Sequence, residues 1–291
     1  DGIASMAARF PDDYRNSFTP STALADAARI AELSDENRIA IDFYRHPEQD
    51  EKQAALKIYH WGSPVALSQR VPLLEHMGFR VISERTFELG NVGGKQIFLH
   101  DMELENAFGE AVDLSDGGAL FDDVFLAVWR GEQDNDGLNA LAQRARLGAQ
   151  EIAVLRAYSR YLHQVGIPQS QGFIAATLTR YPAIARKLFT FFLERFDPKR
   201  ALGDAAEANT QAIEREIQDA LETVPSLDDD TIIRRFLNLI KATLRTNYFA
   251  ESGRRSLAFK FDCRSVEGLP QPRPWREIFV YGPEVEGVHL R

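Results

Sequence analysis

The period of the hydrophobic pattern changes along this chain, and that change limits the folds open to it. Between Gln53 and about Trp129, apolar residues alternate in short runs broken by two helical stretches. From Leu138 to Phe249 they recur almost throughout at helical spacing. Neither a lone sheet nor a lone bundle accommodates both patterns, so the expected class is α+β: a small sheet module followed by a mainly helical body. With 291 residues there is chain for two or three ordinary domains.

The pattern divides the chain into four parts. Residues 1–50 read as a helical lead-in: Pro20 breaks the chain, Ser21 or Thr22 caps, and Leu24, Ala27, Ala28 and Ala31 form a small apolar face. Residues 51–137 read as strand, helix, strand, strand, helix. Ala55 to Tyr59 is the first strand, and Ser68 to Met77 is a helix with Pro72 held to its first turns and Gly78 just beyond it. Phe79 to Leu89 and Lys95 to Leu104 form an antiparallel hairpin across the turn at 90–94, and Phe121 to Trp129 is the second helix. That order fits a ferredoxin-like module. Residues 138–250 are a helical domain, with Ile152, Leu155, Tyr158 and Leu162 on one stripe and a mobile linker near 201–209. Ser226 caps a helix that continues to Thr246, with Asp229 at its third position. Residues 251–291 hold strands at Ser256 to Phe261 and Glu277 to Tyr281, joined by a connector containing Pro270, Pro272 and Pro274.

Charge and composition remove several function classes. A net charge of −9 offers no basic stripe to a nucleic-acid backbone, and nine acids against one base between 201 and 230 carry nearly all of that excess. No apolar run is long enough to span a bilayer. The single cysteine, Cys263, cannot form an internal disulfide, which fits a reducing cytoplasm. The six histidines lack the short spacing of a helix-borne zinc pair, so no metal site is expected.

Two places carry candidate chemistry. Trp61-Gly62-Ser63, at a strand-to-helix turn, offers backbone amides to the carboxylate of an amino-acid effector, against the plainer reading that Trp61 covers the sheet edge. Arg245 and Asn247, at the expected end of the capped helix, suit carboxylate recognition, against an interdomain salt bridge or a helix cap. The glycines at 90–94 precede a strand and are read as a hairpin turn rather than a dinucleotide fingerprint. Gly117-Gly118 is a similarly weak signal, although it precedes a helix and its bare amides could hold an anion.

Longer words carry a resemblance. Leu155 to Leu162 (LRAYSRYL), Arg195 to Pro198 (RFDP), Arg234 to Phe249 (RRFLNLIKATLRTNYF), Leu257 to Asp262 (LAFKFD) and Glu286 to Arg291 (EGVHLR) resemble the large NAD-specific glutamate dehydrogenases of bacteria. The first 120 residues resemble, more loosely, a regulatory ACT-like module of that family. The resemblance implies a chain several times longer, cytoplasmic and homo-oligomeric, which converts L-glutamate to 2-oxoglutarate and ammonia with NAD. It also implies that this portion lies ahead of most of the catalytic domain and is inactive alone. Arg245, Asn247 and Arg291 are then candidates for the substrate cleft. An amino-acid-binding allosteric module and a purely architectural oligomerisation region are the alternatives.

Overall fold

The computed structural model describes residues 2–92, 94–200, 204–250 and 256–290. Arg291, Gly93 in the expected turn and 201–203 in the expected linker lie outside the described residues. The chain divides into two compact units, Asp1–Phe125 and Leu126–Arg291.

The first unit opens with three helices, α1 (Gly2–Ala7), α2 (Asp12–Ser17) and α3 (Pro20–Ile30). Helix α3 begins one turn earlier than the sequence suggested. Thr19, not Ser21 or Thr22, is the cap: its Oγ1 accepts from the Thr22 amide at 3.2 Å, and Pro20 takes the first helical position, where a missing N–H costs nothing. Strands β1 (Ile39–Tyr44) and β2 (Gln53–Trp61), helix α4 (Leu67–His76), strands β3 (Phe79–Val92) and β4 (Lys95–Asn106), and helix α5 (Ala119–Trp129) follow. Strand β1 lies inside the expected helical lead-in. It buries Ile39, Ile41 and Phe43 on one face and Ala40 on the other, so its alternation is masked by apolar residues on both sides.

The sheet order is β1-β2-β4-β3, with every neighbour antiparallel. Counting from β2, this is the ferredoxin-like order, with the outer strand supplied from before the module rather than after it. Both faces are covered. Tyr14, Ala27 and Ile30 of the leading helices pack on Tyr59, Phe87, Ile97 and Leu99. On the other face Phe43 meets Phe79, Phe121 and Phe125 with ring centroids 5.4–6.5 Å apart. Gly118 fixes the start of α5: a Cβ there would lie 2.8 Å from both the Phe43 Cβ and the Phe43 carbonyl oxygen, and its φ of +84° disfavours any side chain.

The second unit contains α6 (Leu141–Ala145), α7 (Ala149–Gln164), α8 (Gln171–Arg180), α9 (Pro182–Phe196), α10 (Asp204–Leu221) and α11 (Leu227–Ala242). Strands β5 (Thr243–Thr246), β6 (Leu257–Asp262), β7 (Arg276–Gly282) and β8 (Val285–Leu290) form a second antiparallel sheet in sequential order. From Asp204 onward the expected linker is helix, because its alanines favour helix and Ile217 and Leu221 give it a buried face.

Ser226 caps α11 by accepting from the Asp229 amide at 3.2 Å. The helix stops at Ala242, not Thr246. Thr243 turns its buried hydroxyl back to the Leu239 carbonyl (2.8 Å) and to Tyr158 Oη (2.9 Å), which closes the helix and starts β5. Helix α7 supplies the core beneath this sheet: Tyr161 stacks on Phe261 at 4.2 Å, and Tyr158 lies 4.9 Å from Phe259. Tyr161 Oη donates to the buried carboxylate of Glu277 at 2.5 Å, and Tyr281 Oη donates to Asp134 at 2.7 Å. Residues 138–250 and 251–291, read from the sequence as separate parts, therefore share one core.

Candidate functional site

In the first unit the Trp61–Ser63 turn borders an open groove of about 480 Å³ with Arg38, His60 and Lys95. Gly62 has a φ of +104°, which explains glycine at the bend. Two amides of the turn are already engaged: Trp61 donates to the Arg38 carbonyl (2.9 Å) and Gly62 to that of Gln96 (2.8 Å). The Trp61 ring is partly buried against the core and carries the Lys95 ammonium 4.9 Å from its centroid. Lys95 also pairs with Asp35, whose carboxyl is held below the usual range by the hydrogen bond and charge of Lys95. A ligand here would meet Ser63 and three basic side chains rather than a nest of free amides.

The larger cleft of this unit, about 950 Å³, was missed from the sequence. Its floor is an ion pair between Asp26 on α3 and Lys57 on β2, each about 98% buried. Asp26 accepts from Lys57 Nζ (2.7 Å), Tyr14 Oη (2.5 Å) and Tyr59 Oη (2.8 Å). Tyr44 Oη and Arg85 both donate to Asp101 beside it. Burial, followed by the neighbouring aspartates, pushes the Tyr14 and Tyr44 hydroxyls far above the ordinary tyrosine value. The only trace in the sequence is an aspartate on the apolar face of a helix and a lysine inside a strand. Their charges satisfy one another, so the floor holds α3 on the sheet and leaves few groups for a ligand.

Behind the sheet, His100 accepts from the Val65 amide at 3.0 Å and lies beside Thr86 and Glu84. Burial, then the nearby Arg70 charge, lowers its pKa to about 4, so it is neutral at physiological pH. Gly118 is no anion site, since its amide donates to Asp116 Oδ1 at 3.0 Å.

In the second unit Arg245 lies on a strand and not at a helix end. A register shift between Thr243 and Arg245, the mark of a bulge, places Arg245 opposite Lys260 while Thr243 and Thr246 face Phe261 and Phe259. The Arg245 side chain is exposed and has no hydrogen bond or ion pair among the described residues. The next strands continue its row with Ile278 and His289, so the outer face carries Arg245 and Lys260 as neighbouring cations. Sequence reasoning missed Lys260, because only strand register brings it to Arg245.

Asn247 has a different role. Its side chain accepts from the Ala258 amide (2.7 Å) and donates to the Ser256 carbonyl (3.1 Å), extending the β5–β6 pairing. Tyr248 packs edge-on to Phe192 at 5.4 Å, and burial raises its hydroxyl to about 12. Both are fold-holding contacts.

The described residues do not fit NAD. Its phosphates require a glycine-rich turn leading from a strand into a helix in a parallel sheet, and both sheets here are antiparallel. Of the glycines expected in a turn at 90–94, Gly90 lies within β3, whose pairing with β4 runs on to Val92↔Lys95, so this segment belongs to a hairpin.

Together these features define an α+β chain in which a ferredoxin-like module precedes a helical segment fused to antiparallel strands. Residues 38–116 match the family model of the glutamate dehydrogenase ACT3 domain, and residues 133–198 that of glutamate dehydrogenase helical motif 3. Residues 216–291 match the model of the bacterial NAD-glutamate dehydrogenase catalytic domain. The NAD-specific glutamate dehydrogenase of Halomonas elongata is 42% identical over 286 residues, covering 97% of this chain and 18% of the relative. Those of Pseudomonas aeruginosa and Mycobacterium tuberculosis are 38% and 36% identical, over 99% and 98% of this chain and 18% of each relative. The chain thus matches domains of the bacterial NAD-specific glutamate dehydrogenases and aligns with them along nearly its whole length, and it spans about 18% of the length of these relatives.

Proposed function

We propose that this chain is the regulatory and structural portion of an NAD-dependent enzyme converting L-glutamate to 2-oxoglutarate and ammonia, together with the first strands of its catalytic domain. The observation that carries this reading is the collinear match of three segments to three parts of one enzyme family. The whole protein is read as a cytoplasmic homo-oligomer; no helix among the described residues is long and apolar enough to cross a membrane. Within it, Arg245 supplies a guanidinium for a substrate carboxylate, with Lys260 beside it and Arg291 as a further candidate. Asn247 supports that wall by splicing β5 to β6.

The test is a comparison of NAD-dependent glutamate oxidation by residues 1–291 and by the full-length enzyme. Activity is expected only in the longer protein, and turnover by the shorter one would overturn the reading.

A second reading concerns the groove at Trp61, Gly62 and Ser63, favoured by Arg38 and Lys95 at its rim. An amino-acid effector would place its carboxylate there, and a ligand held only by the folded module raises its melting temperature. A panel of the twenty amino acids, scored by thermal shift with Ser63→Ala as the comparison, distinguishes an effector site from a packing corner. A shift by one amino acid that weakens in the variant supports the site, and no shift by any of them removes it.

A further inference from the structure

A small cavity in the second unit lies between the loop after α7, the first turns of α11 and the turn at Glu267–Gly268. It measures about 140 Å³, room for a handful of non-hydrogen atoms and well below the roughly 300 Å³ at which drug-sized sites begin. Leu162, Val165, Ile167 and Pro168 give it apolar walls.

Two polar atoms at this cavity lack hydrogen-bond partners among the described residues. Arg235 Nη1 is buried without a hydrogen bond; its nearest acid, Glu267, is 3.6 Å away and 65% exposed. Gln169 donates through Nε2 to Asp228 at 3.0 Å, while its Oε1 is buried and unpaired. The fork lies against the Gly268 backbone, where a Cβ would come within 2.9 Å of both terminal nitrogens and where a φ of +76° favours glycine.

A guanidinium fork is a carboxylate receptor, and an unpaired amide oxygen accepts from a hydroxyl or amine. Water could bond to both atoms, with Thr231 and Glu267 as further polar side chains in the lining, but it leaves the four apolar walls unmatched. We propose that this cavity binds a short-chain carboxylate bearing a hydrogen-bond donor, such as a 2-hydroxy acid, through Arg235 and Gln169. The carboxylate takes the fork, the hydroxyl faces Gln169, and the short carbon chain lies on Val165 and Ile167. This site is independent of the glutamate reading, because its test makes no use of enzyme activity.

The test is isothermal titration of the protein with sodium lactate and with sodium propionate, which has the same chain without the hydroxyl. Saturable one-to-one lactate binding is expected, weakened at least ten-fold in Arg235→Gln, with the preference for lactate over propionate lost in Gln169→Leu. Val165→Phe, which fills the cavity and leaves Arg235 in place, abolishes binding in the same way if Arg235→Gln does not fold. Absence of saturable binding, or equal affinity in all variants, overturns the proposal. So does a crystal grown in lactate that shows only ordered waters on Arg235 and Gln169.

Discussion

The two sheets of this chain are both four-stranded and antiparallel, yet one is closed and the other open. The first is packed on both faces, by α1–α3 on one side and by α5 on the other. Its deepest charges, Asp26 and Lys57, neutralise each other beneath that cover. The second sheet packs one face on α7 and leaves the other solvated, with Arg245 exposed and all of β8 accessible. Charge in the closed sheet holds the fold together, whereas on the open face Asp262 and Arg276 pair with each other and the Arg245 side chain has no partner among the described residues. Substitutions in the two sheets should therefore separate stability from function.

The largest stability loss is expected from Asp26→Ala, which strands the Lys57 ammonium and two tyrosine hydroxyls in the closed sheet. Breaking a buried pair of this kind costs about 3–5 kcal/mol, read as a lower urea midpoint. A loss under about 1 kcal/mol would mean that water reaches the pair. Next comes Tyr161→Phe, which removes the sole partner of the buried Glu277 carboxylate among the described residues. An unsatisfied buried acceptor costs about 1–3 kcal/mol, and the same measurement shows whether α7 is part of the second sheet's core. Ser226→Ala, losing one helix cap, should cost about 1 kcal/mol.

A pH titration sharpens the contrast further. Asp122 on α5 is pushed up to about 7 by burial, with Arg29 opposing and Asp42 adding to the shift. The folded state thus keeps a proton between pH 4 and 7 that the unfolded chain has released, so stability falls as pH rises through that window. Asp122→Asn should remove this slope in unfolding free energy against pH. An unchanged slope would place its origin elsewhere.

Much of this was legible in the sequence, for reasons that differ by residue. Ser226 and the apolar stripe after it announce α11 because capping and 3.6-residue periodicity are local signals. The hairpin of β3 and β4 was legible for the same reason. Strand β1 was not, because an edge strand with covered faces loses its alternation. The end of α11 was misjudged because Thr243 closes it through contacts with Leu239 and with Tyr158, the latter 85 residues away.

The same limit applied to the site. Arg245 stood out by residue type, but Lys260, fifteen residues on, joins it only through the β5–β6 register. Asn247 looked like a ligand-binding side chain and instead holds two strands together. The Asp26–Lys57 pair spans 31 residues and follows no motif.

Arg245→Ala in the full-length enzyme is the smallest perturbation of the fold and the most direct probe of the open face. Its stability should stay within about 0.5 kcal/mol of the parent, as for a solvated side chain without a partner among the described residues. Steady-state kinetics should show a raised glutamate KM or a lowered kcat at that unchanged stability. Unaltered kcat and KM together with a lower melting temperature would contradict the account and make Arg245 one more structural residue.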